Sequence, residues 1–221
     1  MTREHFMQQL QELRDDIVAM ASMVDKAIAR STDALKRQDI ELAQDVIRAD
    51  QEINKIRWAT EEKALLLIAT QAPMASDLRT IASAIHIATE LERMGDHAAG
   101  NAKIVLMTAD EPLLKPLVDI PRMSDAARAM LADSITAFIE GDAEAARAIV
   151  ARDDEVDNLY NQVYRELLTF MITDPSTINR ATHLLWAAHN IERIADRVTN
   201  ICERVVFAVT GLLEEMDVPG Y

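Results

Sequence analysis

The sequence predicts an all-α protein made of two tandem three-helix bundles that form an internal pseudo-repeat. Three observations lead to this fold class. Only 5 of the 221 residues are Gly and 6 are Pro, while residue types that favour helices abound. Apolar residues recur at helical spacing, as in the run Phe6, Leu10, Leu13 and Ile17. The second half of the chain also repeats the order of motifs in the first half, as an internal repeat does.

The elements follow from local start and stop signals. Asp39 is a helix N-cap, and Pro73 separates the second helix from the third because the residue before a Pro leaves the helical region. Gly141 ends the fourth helix, and Gly211 ends the sixth. At the start of the sixth helix, Asp174 caps and Pro175 takes the first helical position. Six helices are expected, over residues 4–36, 39–70, 76–109, 123–140, 142–174 and 175–210.

The cluster of Pro112, Pro116 and Pro121 places the boundary between the two bundles. We expect a first bundle over residues 1–111, a linker over 112–121 and a second bundle over 122–221. The last residues, 217–221, should be frayed.

Composition and charge exclude several classes of function. The formal net charge is -14, so nucleic acid and anionic membrane surfaces are poor partners. We find no signal peptide and no stretch long enough to span a bilayer. The single cysteine, Cys202, allows no internal disulfide. A cytoplasmic protein without membrane insertion is expected.

A carboxylate pair occurs twice at matching places. Glu92 and Asp96 lie four positions apart, and so do Glu192 and Asp196, 100 residues later. Residues four apart share one face of a helix, where like charges repel by a few tenths of a kcal/mol. A sequence that repeats this arrangement indicates a function for the two pairs.

Each pair also faces a second polar pair on the neighbouring helix of its hairpin. In the first bundle Asp50 is as far from the turn as Asp96, and Asn54 is as far as Glu92. Antiparallel helices rise equally per residue, so equidistant residues lie at the same level. In the second bundle Asp153 matches Asp196, and Asp157 matches Glu192. The sequence does not fix whether the side chains point at one another.

Grouped carboxylates are costly without a cation, so we predict two metal sites. The second has four carboxylates, with His189 and Asn200 on the same helix face as possible ligands or supporting groups. The first should be weaker, because Asn54 stands where a carboxylate would serve better. Oxygen ligands suit Mg, Ca, Mn or Fe, and nearby histidines would admit Zn or Ni. The alternative is a solvated acidic face paired with arginines.

These motifs resemble those of the PhoU family of phosphate-uptake regulators. The resemblance rests on the stretches 92–98 and 192–198, on Asn200, and on the turn at 71–79, and it covers nearly the whole chain. It implies two tandem three-helix bundles, multinuclear iron or zinc clusters at the motifs, and often a homodimer. It also implies a cytoplasmic protein that connects a phosphate ABC transporter, through its ATPase, to a sensor histidine kinase and restrains the phosphate-starvation response.

Three classes of function remain open at this stage: a signalling adaptor, a carboxylate-bridged metalloenzyme and a ligand-free helical scaffold. We expect no enzyme, because the sequence lacks the Glu-x-x-His pairs of di-iron bundles, a Gly-rich phosphate loop and a nucleophile elbow. The adaptor, a negative regulator with metal bound at the Glu-x-x-x-Asp motifs, is the preferred hypothesis.

Overall fold

A computed structural model describes residues 3–216, and this part of the chain is helical without any β-strand. The all-α fold class is therefore confirmed. The predicted fraying of residues 217–221 lies outside the described range. The helices are α1 (Arg3–Arg37), α2 (Ile40–Gln71), α3 (Ala75–Thr108), α4 (Asp119–Glu140), α5 (Ala143–Val150), α6 (Asp153–Thr173) and α7 (Ile178–Thr210).

The predicted start and stop signals act as expected. Asp39 caps α2, since its side chain accepts a 2.9 Å hydrogen bond from the Leu42 amide. Ala72 ends that helix in the left-handed conformation, with φ of 44°, directly before Pro73. Gly141 and Gly211 end α4 and α7 with φ of 68° and 79°, which glycine adopts at little cost.

The second half differs from the prediction at three places. Asp174 caps a 3-10 helix over Pro175–Thr177, and α7 itself begins only at Ile178. The predicted fifth helix is divided into α5 and α6 by a turn at Ala151 and Arg152, where the Arg152 amide bonds to the Ile149 carbonyl only three residues back. Arg152 forms an ion pair with Asp133 of α4, and three acidic residues fill the first turn of α6, where the helix dipole favours negative charge.

The linker also ends earlier than predicted. α4 begins at Asp119 rather than near Met123, so Pro121 lies in its first turn instead of in the linker. A proline is tolerated there, because the first amides of a helix have no intrahelical partner.

Replacing Asp39 by Ala should lower the free energy of unfolding by about 1 kcal/mol, because the Leu42 amide loses its only capping acceptor. For a chain of this size we expect the melting temperature to fall by about 2 to 4 °C, measured by calorimetry. The control is Asp33→Ala, near the end of α1 and close to the same turn. It removes only an exposed ion pair with Arg37, so its effect should be smaller. Equal losses in the two variants would contradict the capping role.

The two halves share one hydrophobic core. Helices α1–α3 form one three-helix bundle and α4–α7 form the other, with α5 and α6 together taking the place of one helix. The bundles pack mainly through α3 against α7, and α1 also packs against α4. The central helices carry the doubled motif, so both copies of the motif lie in the middle of the molecule.

Helices α3 and α7 run antiparallel with an even register. The contacts that define it are Ser83 with Arg204, Glu90 with Arg197, and His97 with Asn190. Seven residues forward on α3 correspond to seven residues back on α7. A shift by the repeat offset of 100 residues converts the contact of Glu90 with Arg197 into that of Asn190 with His97. The two halves are therefore related by a pseudo-two-fold axis, which passes between residues 93 and 94 of α3 and between 193 and 194 of α7. Both carboxylate pairs, 92/96 and 192/196, straddle this axis.

Candidate metal centres

The second-bundle cluster consists of Asp153, Asp157, Glu192 and Asp196. Burial, together with the negative charges of Asp196, Asp157 and Asp153 and against a lowering effect of Arg193, raises the pKa of Glu192 to about 7. The Glu192 side chain is only 17% exposed. The structure thus brings together, within electrostatic reach of one another, the four carboxylates that the hairpin levels predicted.

The Glu192 side chain brings a buried oxygen into this cluster. Glu192 Oε2 is buried and accepts no hydrogen bond. His189 Nδ1 lies 3.1 Å away, on the preceding helical turn, without the alignment of a hydrogen bond. The His189 ring lies beside Tyr160, with 6.0 Å between centroids and the two rings tilted by 46°. A buried carboxylate oxygen in that state loses its hydration without compensation. A cation at this position would supply the missing partner.

The first-bundle cluster contains Asp50, Glu92 and Asp96. Burial raises the pKa of Asp50, as do the charges of Asp96 and Glu92, while Lys103 lowers it. The pKa of Glu92 is likewise raised, by burial and by Asp96. Asp50 Oδ1 is buried and accepts no hydrogen bond, so this cluster also contains one unsatisfied carboxylate oxygen.

Gly95 makes room for Asp50 between the two motif carboxylates. A Cβ at position 95 would lie 3.1 Å from Asp50 Oδ1 and 3.1 Å from Ile53 Cδ1, both tighter than ordinary contact. The absence of a side chain therefore lets α2 approach α3 at the level of the motif. In the second copy Ala195 occupies the equivalent position.

Asn54, the predicted fourth ligand of the first site, and Asn200, a possible supporting group of the second, have other surroundings. Asn54 lies half-buried on α2, and in the described part of the chain its side chain makes no hydrogen bond to the motif carboxylates. Asn200 donates a 3.2 Å hydrogen bond to Glu90 Oε2, so it faces α3 rather than α6. Its role is to join the two bundles, not to support Glu192.

The oxygen donors of both clusters are of the kind that binds cations, but their side chains do not lie close enough together to coordinate one. Within residues 3–216 no three His, Cys, Asp or Glu side chains are close enough together to hold a metal ion as they stand. The donor set is carboxylate oxygen in both clusters, which suits hard cations and iron, with His189 available as a nitrogen donor in the second. Rotation of exposed or half-buried carboxylate side chains is needed to complete either site.

A polar contact between the bundles was not foreseen from the sequence. Glu90 Oε2 accepts hydrogen bonds of 3.2 Å from both Arg197 Nη1 and Asn200 Nδ2. The pseudo-two-fold axis relates this group to Asn190, whose amide donates a 2.9 Å hydrogen bond to Asn101. Glu90 directly precedes the motif, but helical spacing alone does not show that its face packs against α7.

Gly100 is explained by the same pseudo-symmetry. It is the counterpart of Asn200, and a Cβ on it would lie 3.0 Å from Asn190 Nδ2. The absence of a side chain at position 100 therefore allows the two bundles to pack closely there.

Replacing Glu90 by Gln should destabilise the protein by about 1 to 2 kcal/mol, because Arg197, only 15% exposed, would lose its carboxylate partner. Glu52→Gln removes an exposed ion pair to Lys55 and should cost less than about 0.5 kcal/mol. Urea unfolding of the two variants measures the difference. If both lose the same stability, the contact between Glu90 and α7 contributes little.

Comparisons with known proteins agree with the sequence and the fold. The PhoU domain family matches twice, over residues 17–105 and 120–205. A Clostridium acetobutylicum protein called phosphate-specific transport system accessory protein PhoU homolog is 37% identical over 212 residues, covering 96% of this chain and 97% of that protein. An Aquifex aeolicus protein of the same name is 40% identical over 185 residues, 84% of each chain.

A solved structure has the same fold. The crystal structure of PhoU from Pseudomonas aeruginosa superposes with a TM-score of 0.89 at 32% identity, covering 94% of this chain and all of that one. Of the helices between residues 3 and 216, none is both long and apolar enough to cross a bilayer.

Proposed function

This chain belongs to the PhoU family, and we propose that it regulates phosphate uptake through contacts with other proteins rather than through catalysis. The observation that carries the proposal is the match of two PhoU domains across the chain, together with relatives named as accessory proteins of phosphate-specific transport. We propose that the protein works in the cytoplasm as a homodimer. Its partners would be the ATPase of a phosphate ABC transporter and a sensor histidine kinase, and its effect would be to restrain the phosphate-starvation response.

The surface supports a role in binding proteins. A net charge of -14 would steer basic patches of a partner toward the molecule. Exposed apolar side chains near both hairpin ends, which we call the hairpin patches, would supply affinity. They are Leu65, Leu66, Leu168 and Ile172, of which Leu65 and Leu168 are equivalent in the repeat.

Metal at the two carboxylate clusters would regulate the shape of the bundles. Asp153 and Asp157 on α6 and Glu192 and Asp196 on α7 would hold it in the second bundle, and Asp50, Glu92 and Asp96 in the first. The unsatisfied oxygens of Glu192 and Asp50 support this assignment. When bound, a cation neutralises the carboxylates and ties the two helices of a hairpin together. Iron or zinc is proposed, with Mn, Mg, Ca and Ni as alternatives to be tested by elemental analysis of the untagged protein.

A deletion strain tests the regulatory role. If the protein restrains the starvation response, the strain should express phosphate-starvation genes in rich phosphate, and the wild-type gene should restore repression. Normal phosphate uptake and normal repression in the deletion strain would overturn the proposal. Turnover of a small substrate, with kcat on the order of 1 per second or more, would favour a metalloenzyme instead.

Co-purification from phosphate-replete cells tests the contact mechanism. The native protein should capture the transporter ATPase and the sensor kinase, whereas Leu65→Glu combined with Leu168→Glu should lose one or both. Val18→Glu, which places the same charge on an exposed apolar position of α1, is the matched control. Equal capture by all three proteins would show that the hairpin patches do not contribute to partner binding.

Light scattering gives the oligomeric state, for which a mass of twice 24.7 kDa is expected.

A further inference from the structure

A cavity of about 270 Å³ lies where the two bundles are joined. We call it the linker cavity. It is bounded by the end of α1 at Gln38, the end of α3, the linker at Leu113 and Leu114, and the start of α7. None of its residues belongs to the carboxylate clusters. Gln38 closes one side, donating hydrogen bonds to the carbonyls of Thr108 and Glu111.

The pseudo-two-fold axis shows why the cavity is open. At the opposite end of the α3–α7 pair, Arg79 packs against Gly211, with Arg79 Cζ 3.4 Å from where a Cβ would stand, and its Nε donates to the Ala208 carbonyl at 3.4 Å. One hundred residues later the counterpart of Arg79 is Asn179, which lines the linker cavity. The shorter Asn side chain leaves unfilled the space that an Arg fills in the other copy.

The chemistry of the walls is mixed. Apolar atoms come from Met107, Leu113, Leu114 and Leu184. The polar lining residues include Asn179, Arg180 and His183 at the start of α7 and the acidic Asp110 and Glu111 before the linker. Arg180 is the guanidinium among these groups, and it forms an ion pair with Glu111 at 3.3 Å. Glu111 is 64% exposed, so this pair is weak and an incoming anion can replace it. A cavity with apolar walls and a few convergent donors is typical of small-molecule sites.

We propose that the linker cavity binds a small organic anion, in which an apolar body contacts Met107, Leu113 and Leu184 and a phosphate or carboxylate group pairs with Arg180. A guanidinium donates two parallel hydrogen bonds to either group. His183 and Asn179 lie beside Arg180 and add donors. The ligand would touch α3, the linker and α7 at once, so its binding would act on the junction of the bundles, independently of metal.

Titration calorimetry with three probes of one shape tests the proposal. Phenyl phosphate and benzoate carry the two anionic groups, and benzyl alcohol is the neutral analogue. We expect saturable 1:1 binding of at least one anion, with a Kd on the order of 1 mM or tighter, and weaker binding of the alcohol by about tenfold or more. The arm that binds better identifies the anionic group.

Three variants separate this cavity from other apolar surface. Asn179→Arg restores the side chain of the other copy and should abolish binding, while Arg180→Gln should weaken it by about tenfold or more. Arg48→Gln, an exposed arginine on α2, should leave it unchanged. The Arg180 side chain is partly exposed, so Arg180→Gln should fold and can test the proposal even if Asn179→Arg does not fold. No saturable binding at roughly 10 mM, equal binding of the alcohol, or unchanged binding in Arg180→Gln would overturn the proposal.

Discussion

Replacing Asp196 by Asn should remove most of the thermal stabilisation that the native protein gains from added metal. The substitution keeps the size of the side chain but removes a charge and an anionic oxygen from the second-bundle cluster. At free metal about one hundred times above Kd, binding to the folded state contributes about 2.7 kcal/mol, which corresponds to roughly 5 to 10 °C for a chain of this length. Calorimetry with EDTA, and then with Fe²⁺, Zn²⁺ or Mn²⁺, measures the gain.

Two further variants place the effect at the cluster. Asp154→Asn makes the same chemical change on the exposed side of α6 and should keep the full metal response. Asp96→Asn should lose the smaller response that we expect from the first bundle. If metal content by elemental analysis and the metal-dependent shift are both unchanged in Asp196→Asn, the cation site does not include this residue.

Glu192→Gln should have the opposite effect on the metal-free protein and stabilise it at neutral pH and above. The ordinary pKa of a glutamate is 4.5, and burial beside Asp196 raises that of Glu192 to about 7 in the folded state. The folded protein therefore holds this proton more tightly than the unfolded chain does. Its free energy of unfolding should fall as pH rises from about 4.5 to about 7, and then level off.

A glutamine cannot ionise, so the variant avoids this loss. Above pH 7 it should be more stable than the native protein by on the order of 2 to 3 kcal/mol, and the difference should vanish near pH 4.5. Urea unfolding in EDTA at pH 5 and pH 8 measures it, with the exposed Glu155→Gln as control. A variant less stable than the native protein at pH 8 would show that Glu192 is satisfied in the metal-free state. A residue that destabilises the empty protein is expected at a binding site.

Helix ends that carry a strong local signal could be predicted from the sequence. Asp39, Gly141 and Gly211 act through their own backbone and side-chain geometry, so their roles do not depend on the rest of the fold. The turn at Ala151 and Arg152 could not be found in this way, because both residues favour helices. Arg152 there pairs with Asp133 of α4, a tertiary contact for which the local sequence provides no signal.

The level at which each motif carboxylate lies was also predictable, since the level of a residue in a hairpin follows from counting. The rotation of each helix about its axis was not, and it decides what Asn200 does. Asn200 shares a helix face with Asp196 by spacing alone, yet its amide bonds to Glu90 across the bundle interface. That interface depends on which faces of α3 and α7 pack together, for which no pattern within one helix provides a signal. The linker cavity was missed for the same reason.

Because the pseudo-two-fold axis passes through the middle of α3 and α7, a small tilt of either helix there displaces both of its ends. α3 has 34 residues, so it spans about 51 Å and each end lies about 25 Å from the level of the two carboxylate clusters. A change of about 5° in the tilt of either helix at that level displaces its ends by about 2 Å. The hairpin patches and the linker cavity lie toward those ends. If a cation draws the carboxylates together at the centre, as proposed, a small tilt there would move the hairpin patches and the linker cavity by more than a bond length.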